Sequence, residues 1–101
     1  MLNVLKSMFG GPSHAEMKKL VEEKGAVVVD VRTKGEFQAG NAPGSVNIPL
    51  TDLIGKVVEI KSWNKPVVLC CLSGGRASKA LGVLKSNGVE AYNAGCWQNV
   101  I

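Results

Sequence analysis

The part of the sequence best suited to chemistry is residues 70–76, where two cysteines precede small residues and an arginine in the order Cys-Cys-Leu-Ser-Gly-Gly-Arg. A glycine-rich turn between a strand and a helix points main-chain N–H groups inward, and with the helix N-terminus it attracts negative charge. Such a turn lowers the pKa of a cysteine at its mouth from about 8.5 to roughly 3.5–7.5. Because the thiolate is the nucleophilic form, we expect Cys71 to be a catalytic nucleophile, with Arg76 adding a fixed positive charge.

Two predicted elements position this loop. The apolar run over residues 67–70 is typical of a strand buried on both faces, and it leads directly into the loop. Beyond the loop, apolar residues at helical spacing predict a helix that ends at Asn87 and Gly88, since glycine readily adopts the left-handed conformation found there. Ligands bind beyond the carboxyl ends of strands in open parallel sheets, so this junction is the predicted site.

The rest of the chain alternates between helical and strand patterns, and Ser13 with Glu16 and Thr33 with Glu36 form capping-box signatures. Before the loop the predicted elements are a helix ended by Gly25, a strand over 26–31, a helix over 34–39, a brief strand over 46–48, and a helix capped by Thr51 with Leu53, Ile54, Val57 and Val58 on one side. A last strand is predicted over 89–92. This order predicts an α/β fold with a mainly parallel central sheet.

Length and composition restrict the function further. The chain has 101 residues, of which 46% are hydrophobic and 20% charged, as in a folded globular domain. We therefore expect one domain over residues 1–101, with a loosely ordered start at residues 1–12. The net charge is +4, but the basic residues are scattered and aromatics make up only 5%, which favours small anions over nucleic acid as partners.

The cysteine count bears on compartment and cofactors. Three cysteines and one histidine suit neither a disulfide framework nor a zinc site of familiar spacing, so we expect free thiols, no metal and no organic cofactor. No apolar run approaches the ~20 residues needed to cross a bilayer, so we expect no membrane contact. These features predict a cytoplasmic protein, with an extracytoplasmic location only if a signal segment had been removed.

The loop from Cys71 to Arg76 resembles the active-site loop of the rhodanese family, single-domain sulfurtransferases in which a cysteine opens a six-residue loop and an arginine often closes it. Four other stretches are similar to family motifs: Asp30-Val31-Arg32, Glu36-Phe37 with Gly40, Ala42-Pro43-Gly44-Ser45-Val46-Asn47-Ile48-Pro49, and Gly95 with Trp97. The chain departs from the family pattern at Asn41, Ala42 and Ala77, where histidine, isoleucine and serine are common. The resemblance implies a single rhodanese-like domain, with a mainly parallel central sheet of about five strands and helices on both faces.

The resemblance also implies a reaction. The Cys71 thiolate would take the outer sulfur of a donor such as thiosulfate or polysulfide and carry it as a persulfide until cyanide or a thiol removes it. The expected partners are a small anionic sulfur donor and a thiol-containing acceptor protein, and we expect a monomer. The expected substrate-binding residues are those of the loop: Leu72, Ser73, Gly74, Gly75 and Arg76.

Two other functions fit the same residues. Counted from Cys70, the spacing Cys-x5-Arg matches the phosphate-binding loop of cysteine phosphatases. Against this, Cys70 belongs to the apolar run and should be buried, no histidine stands directly before the cysteines, and no general acid is apparent. The remaining alternative is a non-catalytic module that only carries sulfur or docks a partner.

Three residues outside the loop are candidates for supporting roles. Asp30 and Arg32 end a strand on the side of the site, and we expect them to form an ion pair that positions the neighbouring loops rather than to react. Cys96 could resolve a persulfide or disulfide at Cys71, although packing is the simpler role for a late cysteine.

Overall fold

The computed structural model describes residues 13–101, so the loosely ordered start predicted for residues 1–12 lies outside the described residues. The helices are α1 (His14–Lys24), α2 (Lys34–Ala39), α3 (Leu50–Leu53), α4 (Val57–Ser62) and α5 (Gly75–Ser86). The strands are β1 (Val27–Asp30), β2 (Val46–Asn47), β3 (Val67–Cys71) and β4 (Ala91–Cys96). Short 3-10 helices cover Ile54–Lys56 and Trp97–Val100.

The described strands form one parallel sheet in the order β2-β1-β3-β4. The sheet therefore has four strands in the described part of the chain, one fewer than predicted. In register, Val29 of β1 lies beside Leu69 of β3, and Leu69 lies beside Asn93 of β4. Because every pairing is parallel, the carboxyl ends of all four strands meet at one edge, and β3 is flanked there by β1 and β4.

Two apolar layers cover the faces of the sheet, as predicted. On one face Val29, Leu69 and Cys71 pack with residues of α3, α4 and α5. On the other face Val28, Val68 and Cys70 pack with α1 and the C-terminal 3-10 helix, including the buried Met17. Side chains alternate between the faces along each strand, so burial on both sides explains the unbroken apolar runs of β1 and β3.

Both predicted capping boxes are present. At α1 the Ser13 hydroxyl accepts from the Glu16 N–H while the Glu16 carboxylate accepts from the Ser13 N–H, and Thr33 and Glu36 do the same at α2. α1 ends at Gly25, whose φ of +66° lies in the left-handed region that favours glycine. These local signals therefore predicted where the two helices begin.

The helix predicted after Thr51 differs in two respects. α3 begins after Pro49 with no side-chain cap, and the Ile54–Lys56 3-10 turn, which contains a glycine, separates it from α4. The predicted stripe was also too wide, because Leu53, Val57 and Ile60 are buried whereas Ile54 and Val58 are 74% and 83% exposed. Only one residue in each turn of this segment packs against the core. The residue that follows it, Ile54 or Val58, points about 100° away from the core-facing side chain.

The last strand is longer than predicted and lies later in the chain. β4 runs from Ala91 to Cys96 instead of over 89–92, and its pairing with β3 shifts register between Leu69 and Cys71. Asn93 and Gly95 are poor strand formers, and this irregularity accommodates them. Within residues 13–101, the helices are too short or too polar to cross a bilayer.

Helix α4 offers a matched test of this packing. Ile60 is fully buried and Val58 is 83% exposed. We expect Ile60→Ala to lower the free energy of unfolding by about 2–5 kcal/mol through lost burial and a cavity. Val58→Ala should change it by about 0.5 kcal/mol or less. Urea denaturation measures both, and equal losses would contradict the observed orientation of α4.

Candidate active site

The predicted loop lies at the carboxyl end of β3, between Cys71 and the start of α5. Gly74 has a φ of +99°, and a Cβ atom there would lie 3.4 Å from the Cα atom of Gly95. Asn93 joins the loop to β4, because its Nδ2 donates to the Gly74 carbonyl at 3.1 Å and its Oδ1 accepts from the Gly95 N–H at 2.8 Å. Glycine at position 74 thus permits both the turn and the close approach to β4.

The loop surrounds the Cys71 sulfur with main-chain donors. Cys71 is 1% exposed, and its Sγ accepts from the Gly74 N–H at 2.9 Å. Burial raises the pKa of this thiol, but the N–H groups of Ala77, Gly74, Ser73 and Arg76 outweigh burial, so the pKa lies below its ordinary value. The expected thiolate-stabilising loop is confirmed, and the catalytic role of Cys71 stays a prediction.

The neighbouring cysteine has the opposite chemistry. Cys70 is fully buried on the other face of the sheet. Burial, followed by the negative charge of Asp30, raises its pKa to about 12. Cys70 is therefore a neutral packing residue at physiological pH, which disfavours a phosphatase that uses it as the nucleophile.

The expected ion pair beside the loop is confirmed. Arg32 Nη2 donates to Asp30 Oδ2 at 2.8 Å and Arg32 Nε donates to Oδ1 at 3.0 Å, with both residues buried. Arg32 Nη2 also donates to the Gly40 carbonyl at 2.7 Å, and its guanidinium carbon lies 4.9 Å from the centroid of the Trp97 ring. Asn47 donates to the carbonyls of Asp30 and Arg32 at 3.0 and 2.9 Å. The pair thus ties the chain after β1 to β2, the turn after α2, and the C-terminal segment.

Arg76 is paired with Glu36, which the sequence placed in a helix cap and in a stretch similar to a family motif but not at the site. Its Nη1 and Nη2 donate to Glu36 Oε1 and Oε2 at 2.6 and 3.0 Å. Hydrogen bonds from Arg76, and then from Thr33, lower the pKa of Glu36 to about 2. The positive charge expected beside Cys71 is therefore neutralised by a carboxylate. The similarity of Glu36-Phe37 to a family motif draws attention to Glu36, but nothing in the sequence connects Glu36 with Arg76, which lies 40 positions later.

The other predicted site residues are either exposed on the loop or, in the case of Cys96, half-buried beside it. Leu72 is 54% exposed, and Ser73 and Gly75 are also exposed, so the middle of the loop forms an uncharged rim. Cys96 is a half-buried free cysteine, and it pairs in register with Cys71 at the end of β3. In residues 13–101, no three histidine, cysteine or acidic side chains come together as a metal site.

The sequence is similar to one protein family and to several known proteins. Residues 13–99 match the family described as Rhodanese-like domain. The chain is 39% identical over 84 residues to the uncharacterized protein YqhL of Bacillus subtilis, an alignment covering 76% of this chain. It is 31% identical to a mouse protein named thiosulfate sulfurtransferase/rhodanese-like domain-containing protein 3, over 87% of this chain. The matches span 66% of the length of each relative, just under two thirds.

A solved structure shows the same fold. The human single-domain sulfurtransferase TSTD1 superposes with a TM-score of 0.72 at 28% sequence identity, and the match covers 87% of this chain and 91% of that one. The α/β architecture with a parallel sheet and helices on both faces is therefore shared with a solved protein of similar size.

The pKa of Cys71 can be tested by alkylation. We expect the rate of Cys71 modification by iodoacetamide to reach half its maximum at a pH below that of an ordinary cysteine, because the loop amides stabilise the thiolate. A Cys96→Ser background removes the half-buried thiol, and fragmentation of the peptide that contains both remaining cysteines by tandem mass spectrometry assigns the label to Cys71 or Cys70. A midpoint at or above that of free cysteine would contradict the role of the amides.

The Asp30–Arg32 pair can be tested by removing one partner. We expect Asp30→Ala to lower the free energy of unfolding by about 3–5 kcal/mol, since it leaves a buried guanidinium without its carboxylate. Glu59→Ala, which breaks the exposed Lys56–Glu59 pair at 3.6 Å, should cost about 0–1 kcal/mol. Urea denaturation measures the free energy of unfolding of both variants. Similar losses would contradict a larger stabilising contribution from the buried pair.

Proposed function

This chain belongs to the rhodanese-like domain family, and we propose that it is a sulfurtransferase that moves a sulfane sulfur from a donor such as thiosulfate or polysulfide to a thiol or cyanide acceptor. The intermediate is a persulfide on Cys71. The observation that carries the proposal is the set of main-chain N–H groups that lowers the pKa of Cys71, beside a Cys70 whose pKa burial raises to about 12.

The first half of the reaction loads the sulfur. The Cys71 thiolate attacks the outer sulfur of thiosulfate, a bond forms between Sγ and that sulfur, and the sulfur–sulfur bond of the donor breaks. Sulfite leaves with the electron pair of the broken bond. The negative charge of the thiolate passes to the terminal sulfur of the persulfide, which lies beyond Sγ among the loop amides.

The second half of the reaction removes the transferred sulfur from Cys71. A thiolate or cyanide attacks the terminal sulfur, the bond to Sγ breaks, and Cys71 recovers its thiolate. Because one negative charge is present near the loop before and after each step, the same preoriented N–H dipoles stabilise thiolate and persulfide. The chain's own main chain thus supplies the stabilisation, and we propose neither a metal nor an organic cofactor.

Charge and exposure suit a small donor. Leu72, Ser73 and Gly75 form an uncharged rim around Cys71, and Gly74 is held close to β4. We propose that a loop of such small residues suits one sulfur atom more than a tetrahedral phosphate. We propose that the chain acts as a monomer in the cytoplasm, with a protein or small thiol as acceptor and with neither nucleic acid nor membrane as a partner.

Replacement of the nucleophile tests the function. We expect Cys71→Ser to lower thiosulfate:cyanide sulfurtransferase activity by about 10³-fold or more, because no other thiol occupies the loop. It should also abolish the gain of one sulfur atom detected by intact mass after incubation with thiosulfate or polysulfide. Cys96→Ser is the matched control and should keep both.

Three outcomes would contradict the proposal. A Cys71→Ser variant that still turns over would exclude Cys71 as the sulfur carrier. Hydrolysis of an aryl phosphate, lost in Cys70→Ser, would favour the phosphatase instead. A sulfur adduct on Cys71 that neither cyanide nor thiols remove would indicate a module that carries sulfur without catalysis.

A further inference from the structure

Two arginines lie beside the candidate site, and each already has a carboxylate partner. Arg32 is buried against Asp30, with the salt bridge at 2.8 Å. Arg76 lies in the first turn of α5 and pairs with Glu36, with the salt bridge at 2.6 Å. The charge of each of these two arginines is therefore offset by a negative charge within hydrogen-bonding distance.

Glu36 is held in place from its own side as well. Its Oε1 accepts from the Thr33 N–H and from the Thr33 hydroxyl, each at 3.0 Å, in addition to Arg76. Its Oε2 accepts from the second guanidinium nitrogen of Arg76. The helix cap thus fixes the carboxylate, so Glu36 is a built-in partner of Arg76 rather than a mobile surface charge.

This pairing changes what can attract a donor. The charge of the Arg76–Glu36 pair sums to zero, and its field falls off faster with distance than that of a free guanidinium. What remains around Cys71 is the set of main-chain N–H groups, which act at hydrogen-bond range on a single charged atom. The exposed Leu72 adds an apolar surface at the rim.

We propose that Glu36 is a specificity-determining residue: by neutralising Arg76, it shifts donor preference from dianionic thiosulfate toward organic persulfides that bear at most one negative charge. This inference rests on the proposed sulfurtransferase function. In the loading step, the Cys71 thiolate attacks the terminal sulfur of the persulfide, the donor's sulfur–sulfur bond breaks, and the donor leaves as a thiolate. The terminal proton, where present, passes to that thiolate or to solvent.

The test uses a variant that removes charge and keeps shape. Glu36→Gln retains an acceptor for the Thr33 N–H, since glutamine also completes a capping box. Glu59→Gln is the matched control, because it neutralises a carboxylate paired with Lys56 on another part of the surface. All proteins carry Cys96→Ser, which removes the half-buried thiol and leaves Cys71 as the cysteine with a lowered pKa.

The first measurement is the ratio of Cys71 alkylation rates with iodoacetate, an anion, and iodoacetamide, which is neutral. The ratio cancels any change in thiolate fraction and reports the local potential. We expect Glu36→Gln to raise it roughly threefold or more through the released guanidinium charge, and Glu59→Gln to leave it unchanged. Arg76→Gln leaves Glu36 unneutralised and should lower the ratio, which keeps the test valid if Glu36→Gln folds poorly.

The second measurement is kcat/KM for thiosulfate divided by kcat/KM for 2-hydroxyethyl hydropersulfide. Glu36→Gln should raise this ratio by a similar factor, mainly through a lower KM for thiosulfate. Unchanged ratios in a variant that transfers sulfur would overturn the role of Glu36 and leave the proposed function intact. If neither donor loads Cys71 in the parent protein, the proposed function fails and the donor preference fails with it, whatever the alkylation ratio shows.

Discussion

The candidate site depends on main-chain N–H groups that stabilise an ionised sulfur in a place where burial opposes ionisation. Cys70 and Cys71 show this constraint side by side, since both are almost completely buried. Burial raises the pKa of Cys70 to about 12, whereas the amides of the loop bring that of Cys71 below its ordinary value. One step along a strand turns a side chain to the other face, and here it also separates a neutral packing residue from a thiol with a lowered pKa.

The loop keeps this geometry because neighbouring strands support it. On one side β4 holds the loop through Asn93 and the close contact between Gly74 and Gly95. On the other, the Val31 N–H donates to the Cys70 carbonyl at 3.0 Å, and the buried Asp30–Arg32 pair joins the end of β1 to Gly40. The parallel strand order places β1 and β4 on either side of β3, so both supports reach the edge at which the loop emerges.

The electrostatics follow from the same arrangement. At the described site, main-chain N–H dipoles point at the Cys71 sulfur, while the two arginines are engaged with carboxylates. An arrangement of this kind suits chemistry in which one negative charge moves from one sulfur to the next and the total stays the same. It suits a transferred phosphate less, because a phosphoryl group brings charge spread over several oxygens.

The sequence by itself determined the features that act over a few residues. The capping boxes, the buried run of β3, the loop and the Asp30–Arg32 pair all join residues no more than six positions apart, so their groups meet once the local backbone forms. Only the tertiary structure decided that Glu36 pairs with Arg76, that β4 extends to Cys96, and that Ile54 and Val58 face outward. Those outcomes depend on how α2, β4 and α4 pack against the rest of the chain, and packing of distant elements leaves no local signal in the spacing of residues.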